Sequence, residues 1–359
     1  MSDGFRYNVD LLTDPMDREA FALRFPQFAF AFDDPDLRAL FEPIDREAAK
    51  AKRTSRTLGG AALGLVTAAL LAGALAQVFH GEPWFRLVAI AAAVVGVTGL
   101  IIGWAGVMTA HSRDEWLRRR FVCERIRQLH FQTLAGWAPQ IIEAAKAGDA
   151  SSFLSARRLR TEKFRSQTIN SSAVILADLL ASRSDDATWL VAVDERPLAD
   201  DALSATYFEA LRELRLQHQH DFVGYQLLAY WTLRPKSPLQ MARLLSGIGA
   251  FCALLLLNLG VVGLVLDAAT GRLAQFTHAG MVGLAIIALA ARTLEEGLQV
   301  HSEVNRYRTY DAVLRRMLQR YRLAGSNDER RAVLVELEEF SFDEMIGQLK
   351  SHRDARFLM

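Results

Sequence analysis

The sequence predicts an all-α integral membrane protein, with two transmembrane helical hairpins and a mostly helical cytoplasmic domain. Three observations carry that class. Four long stretches hold no charged residue: Thr57–Phe79, Leu87–Ala110, Leu245–Leu266 and Leu273–Ala291. Short connections join the first to the second and the third to the fourth. Lys and Arg gather at one set of ends and avoid the other.

A helix of about 20 apolar residues crosses a hydrocarbon core ~30 Å thick, and all four stretches are near that length or beyond it. The fourth is the most polar, with Gln275, Thr277 and His278. His80 to Arg86 links the first pair, with Gly81 and Pro83 as turn residues and Trp84 at the interface. Asp267 to Arg272 links the second pair, with Gly271. Connections this short force each pair to run antiparallel.

Orientation follows from the cations near the span ends. Arg46, Lys50, Lys52, Arg53 and Arg56 precede the first span, and Arg113, Arg118, Arg119, Arg120 and Arg125 follow the second. Arg234, Lys236 and Arg243 precede the third, and Arg292 and Arg306 follow the fourth. The two loops hold only Arg86 and Arg272. Both termini and the central segment are therefore expected in the cytoplasm, with the chain in a bacterial inner membrane. Met1 to Arg24 has no apolar core of the kind a cleavable signal peptide needs.

The expected organisation is then an N-terminal segment with its entry helix (1–56), hairpin one (57–110), a central helical region (111–244), hairpin two (245–291) and C-terminal helices (292–359). Asp36 to Arg56 reads as an amphipathic helix feeding the first span, and Arg113 to Leu134 as a basic amphipathic helix leaving the second. Ser151–Leu180 and Ala202–Trp231 are further helices. Ser326 with Glu329 is a capping box that opens a helix through Glu339 or beyond. Pro235 and Pro238 bend the chain before the third span. Phe28, Phe30 and Phe32 alternate with period two, which reads as a short strand, an aromatic plug, or packing against the helices. Trp189–Val193 is also strand-like.

The two hairpins are offset by roughly 187 residues, and at an offset of 188 Arg118, Arg120, Ile126 and Arg127 fall on Arg306, Arg308, Leu314 and Arg315. This reads as a duplicated unit with both copies in one orientation.

Charge excludes some functions. Lys+Arg 42 against Asp+Glu 41 leaves +1, without the basic excess of a nucleic-acid binder. No phosphate-cradling glycine loop, dinucleotide fingerprint, HExxH, CxxC or GxSxG is present. The chain therefore reads as a non-enzyme without a cofactor. His218 and His220 stand two apart on a helix, too far around it to share a metal, so they and Asp221 read as a solvated face. His278, near the outer end of the fourth span, reads as a hydrated imidazole. Cys123 and Cys252 read as free buried thiols.

Within the spans, small residues recur at helix-packing spacing: Gly60 and Gly64, Gly99 and Gly103, Ala279 and Gly283. The polar residues at bilayer depth are Thr67, Thr98, Asn258 and Gln275. Asn258, near the middle of its span, is the costliest to expose to lipid, and it is expected to face another helix or a water path. After the second span, Trp116, Arg120, Glu124 and Arg127 fall on one helical face, with Arg120 and Glu124 as an i,i+4 ion pair. The same arginines also suit anionic headgroups.

A two-span hairpin followed by W-x3-R-x3-E-x2-R resembles the SLATT domains, two-span effectors associated with bacterial conflict systems. Arg215 to Gln219, followed by Phe222 and Tyr225, looks like that family's R-x3-Q-x2-aromatic helix entering its hairpin. The first copy lacks a clear R-x3-Q entry and the second lacks the exit tryptophan. The resemblance implies a membrane effector that forms pores when infection is sensed. On this reading the chain is a homo-oligomer in lipid, triggered by a soluble sensor or small molecule on its cytoplasmic side. The alternatives are a membrane-anchored scaffold or sensor that recruits soluble partners, and a small channel or transporter.

Overall fold

The computed structural model describes residues 5–79, 82, 84–108, 111–181, 188–266 and 272–354. The turn positions Gly81, Pro83 and Gly271 lie outside them. All regular structure among the described residues is helical. After a 3-10 turn at Val9–Leu11 come α1 (Pro15–Arg24), α2 (Ala29–Phe32), α3 (Pro35–Val78), α4 (Phe85–Met108), α5 (His111–Gly136), α6 (Ala138–Ala147) and α7 (Ser151–Phe164). They are followed by α8 (Ser172–Ala181), α9 (Ala202–Leu211), α10 (His218–Gln226), α11 (Pro238–Leu266), α12 (Arg272–Gly297), α13 (Val300–Leu323) and α14 (Asn327–Asp354). Contacts divide the chain into two compact units. One comprises Met1–Ala49, Glu115–Tyr225 and Arg306–Ser351, and the other Lys50–Asp114, Gln226–Asn305 and His352–Met359.

In the first unit, α5 is enclosed on nearly all sides from Phe121 to Gly136, and its preceding turn, with Arg118, Arg119 and Arg120, is half-buried. Trp116, Leu117, Phe121, Val122, Cys123, Ile126, Leu129, Phe131 and Leu134 are buried, and so are Arg125, Arg127, Gln128, His130, Gln132 and Thr133. This corrects the basic amphipathic helix expected here. A helix enclosed by protein carries no single apolar stripe, and its cations are matched by internal partners rather than turned to headgroups. The phenylalanine alternation is likewise helical. Phe28 and Phe32 are buried around α2 and their rings lie 5.1 and 5.6 Å from that of Tyr207 in α9. Tyr207 in turn donates to the Leu134 carbonyl at 2.6 Å.

Trp189–Val193 is irregular rather than a strand. The Gln132 side chain imitates a neighbouring strand's peptide: its amide donates to the Thr188 carbonyl at 2.8 Å and its oxygen accepts from the Leu190 N–H at 2.7 Å. The segment predicted as one helix over Ala202–Trp231 passes through a π-helical turn at Arg212–Gln217 and stops at Gln226. Ser326 caps α14, its hydroxyl accepting from the Glu329 N–H at 3.2 Å, while the Glu329 carboxylate takes the Gly325 N–H. α14 runs past Glu339 to Asp354.

The second unit holds the apolar helices. Four helices are long and apolar enough to cross a membrane, and only 11, 11, 11 and 6 % of their most apolar windows is buried within the chain. The outer side of α4 shows why. Leu87, Ile90, Val94, Val97, Leu100, Ile101 and Trp104 are each more than half exposed, an apolar surface too extensive for water. The C-terminal part of α3 packs antiparallel on α4: Gly103 faces Ala62, Gly99 faces Leu65 and Gly96 faces Ala69. α11 and α12 also pack antiparallel, with Gly263 against Thr277, Leu259 against Gly280, and Ala242, Leu245 and Ala291 in one cluster with Val300.

Candidate functional site

The motif residues picked out in the sequence converge inside the first unit. Arg120 pairs with Glu124 one turn on, as expected, and lies 3.9 Å from Asp45 of α3. Arg127 donates to both Glu124 oxygens at 3.1 and 3.0 Å and to Asn8 Oδ1 at 2.7 Å, and its Nε lies 2.8 Å from Asp10. Its guanidinium also lies over the Phe41 ring. Asn8 holds the group together from the other side, donating to Asp45 at 3.2 Å. Asn8 has φ +63°, a left-handed conformation that asparagine tolerates better than most residues.

Arg215, from the second motif, sits 4.5 Å over the Phe131 ring and reaches Glu338 of α14 through two bonds of 2.6 and 3.1 Å. Both side chains are buried. Gln219 accepts from the Tyr310 hydroxyl at 3.4 Å. Trp116 is buried at the start of the same helix α5. His218 is mostly buried and 3.9 Å from Asp10, and His220 is partly buried 3.9 Å from Asp311, so only Asp221 of the expected solvated face is exposed.

These charges are taken from water, which disfavours each ion unless its partners repay the loss. Burial alone drives the Asp10 carboxyl upward, but Arg127, His218, Arg215 and His130 outweigh it and hold it below its usual value. Glu124 is likewise lowered, by Arg120 and Arg127 against its burial. Burial pushes Glu338 upward, while Glu338 keeps Arg215 charged. His130 is driven down to about 3 by burial, reinforced by Arg157, and is therefore a neutral imidazole in the interior. Burial raises the Cys123 thiol to about 12, and both cysteines are free and buried.

Asp10, Asn8, Asp45, His130 and Glu338 were not singled out in the sequence. Two carried a signal. Asp10 interrupts Val9, Leu11 and Leu12, and Glu338 stands four residues from both Leu334 and Phe342, on the apolar face of its helix. The proposed duplication does not extend to this site. Ile126 and Leu314 are both buried, but Arg127 is buried where Arg315 is exposed. Arg118 pairs with Glu115 on its own helix, whereas Arg306 pairs with Glu344 of α14.

In the apolar helices, the Thr67 and Thr98 hydroxyls donate to the carbonyls of Leu63 and Val94, one turn back. Asn258 is exposed and donates to the Leu254 carbonyl at 2.7 Å. It was expected to face another helix or a water path, and within this chain it is not covered by another helix. Gln275 and His278 are also exposed. Gly99 and Gly103 line a helix contact and Gly283 meets Leu71 at 3.5 Å, whereas Gly60 and Gly64 have open space around them. Ala279 is half-buried. At the other end of α11, Ser246 donates to Glu295 at 2.9 Å, and Glu295 also contacts His301 and Arg292.

The arrangement offers charge pairing and helix locking. Among the described residues no group of three metal-ligating side chains comes together. Comparison with protein-family models, with curated proteins and with solved structures finds no match to this chain.

Proposed function

We propose that the chain is a multi-pass protein of a bacterial inner membrane that assembles with copies of itself. When triggered through its cytoplasmic helices, it opens a pore or perturbs the bilayer. The observation that carries this is Asn258. It lies near the middle of the uncharged stretch Leu245–Leu266 and is exposed, with its amide nitrogen turned back to Leu254. In hydrocarbon its carbonyl oxygen needs a donor that lipid cannot give. A second copy in the same orientation presents the same amide at the same depth, and an amide is its own complement, a donor and an acceptor in one group.

Topology gives independent support. The first unit gathers three segments of the chain, and each gap between them contains two of the apolar helices. If those helices span a bilayer, an even number of crossings returns each segment to one side. The distribution of Lys and Arg makes that side the cytoplasm. The resemblance of the Trp116–Arg127 string and of Arg215–Gln219 to SLATT domains motivates the effector and anti-phage role. The buried network of Asp10, Arg127 and Glu338 is, on this reading, the lock of the resting cytoplasmic domain.

The test is induced expression in bacteria with a membrane-potential dye, beside Cys crosslinking of Asn258→Cys in membranes. Depolarisation by the wild type, its loss in Asn258→Leu at equal membrane abundance, and a crosslinked ladder are expected. A chain that neither depolarises nor crosslinks, and that purifies as a monomer with a stoichiometric soluble partner, would overturn the effector in favour of the scaffold.

A further inference from the structure

The connection between α10 and α11 carries exposed aromatic and cationic side chains. It is irregular from Leu228 to Ser237, yet it is pinned to the start of α11. The Ser237 hydroxyl donates to the Leu228 carbonyl at 3.1 Å and accepts from the Gln240 N–H at 3.2 Å. The Gln240 side chain, itself buried, accepts from the Lys236 N–H at 2.8 Å. The Arg243 guanidinium, one turn deeper, donates to the Ala229 carbonyl. The connection therefore folds back along the first turns of α11 instead of extending away from it.

Held this way, it turns its apolar side chains outward. Tyr230 is 57 % exposed, Trp231 65 % and Leu233 71 %, three large apolar groups in four residues. Arg234 and Lys236 beside them are exposed, and neither makes an ion pair with a described residue. α11 is 29 residues long, about 44 Å at 1.5 Å per residue, against a hydrocarbon core of ~30 Å. Counting back about 20 residues from Leu266 reaches Gly247. The turns from Pro238 to Ser246, with the connection folded on them, then lie in the headgroup layer. Aromatic rings with one polar end favour that layer, and cations there meet lipid phosphate.

We propose that Leu228–Ser237 is a binding site for acidic phospholipid. Tyr230, Trp231 and Leu233 enter the boundary between headgroups and acyl chains, and Arg234 and Lys236 hold the headgroup phosphate. The proposal rests on reading α11 as a membrane span.

The full-length protein in detergent is titrated with phosphatidylglycerol or phosphatidylcholine and the bound lipid is read by native mass spectrometry. The wild type is expected to prefer phosphatidylglycerol. Arg234→Gln with Lys236→Gln should reduce that preference by roughly five-fold per cation removed. Arg308→Gln with Arg315→Gln, two exposed cations on α13, should leave it unchanged. In bilayers containing brominated lipid, Trp231→Phe should lose a measurable share of the tryptophan quenching. An unchanged preference in the first double variant, an equal loss in the second, or displacement of the lipid by inorganic phosphate would each overturn the proposal. Release of the wild type from membranes by alkaline carbonate would instead overturn the reading of α11 as a span.

Discussion

Asp10 and Arg127 meet at 2.8 Å in the interior of the first unit, one from a 3-10 turn near the N-terminus and the other from the helix that follows two apolar helices. Both side chains are nearly inaccessible to water, so neither ion has solvent to fall back on.

Breaking that pair from one side should therefore be costly. Arg127→Met or Asp10→Asn is expected to destabilise the protein by about 3–5 kcal/mol, because each leaves a buried ion without its main partner. The double variant should cost less than the sum of the two. Chemical unfolding of the purified protein measures all three. Additive losses would show that the two groups act independently.

His130 gives the fold a pH dependence of known sign. Its imidazole titrates at about 3 in the folded protein against an ordinary value of 6.5. Between those values the unfolded chain binds a proton that the folded chain does not, so stability is full above pH 6.5 and falls as the pH drops below it. The slope from this one group approaches about 1.4 kcal/mol per pH unit. His130→Gln should remove that contribution, and the difference between variant and wild type is read from pH 6.5 to 5, before carboxylates with lowered values begin to titrate. Parallel pH profiles in the two proteins would show that the imidazole is protonated, or solvated, in the fold.

The contact between α3 and α4 depends on Gly99. A methyl group there would lie 2.9 Å from the Leu65 Cβ, 3.0 Å from the Val66 Cγ2 and 3.1 Å from the Ala62 carbonyl oxygen. The helix backbone cannot yield easily, so Gly99→Ala should lower stability in detergent by about 1–3 kcal/mol. Gly60→Ala, which meets nothing within 4 Å, should be neutral in the isolated chain. Equal thermal shifts for the two variants would argue against the close approach.

The apolar helices were legible because lipid-length uncharged runs have few other physical explanations, and the Trp116–Arg127 string was legible because its spacing matches the helix turn. What the string does was not. A cation in a helix reads as a surface group until its partners are known, and the partners of Arg127 and Arg215 are Asp10 and Glu338, far along the chain. Phe28, Phe30 and Phe32 left three readings open in the sequence, and packing against the helices is the one the structure shows for Phe28 and Phe32. Two of the rings are gripped by Tyr207, so a tertiary contact, and not the local period, sets that backbone. The direction of Asn258 depends on which side of α11 meets α12, and the run of leucines around it does not encode that.

Because the interior that receives Asp10 is completed by Glu338, the first unit cannot close while its polypeptide is still being made. At 5–20 residues per second, translation takes on the order of half a minute between those two positions. Throughout that interval the leading aromatic segment stays without its final surroundings. During synthesis the nascent N-terminus is thus expected to need a chaperone.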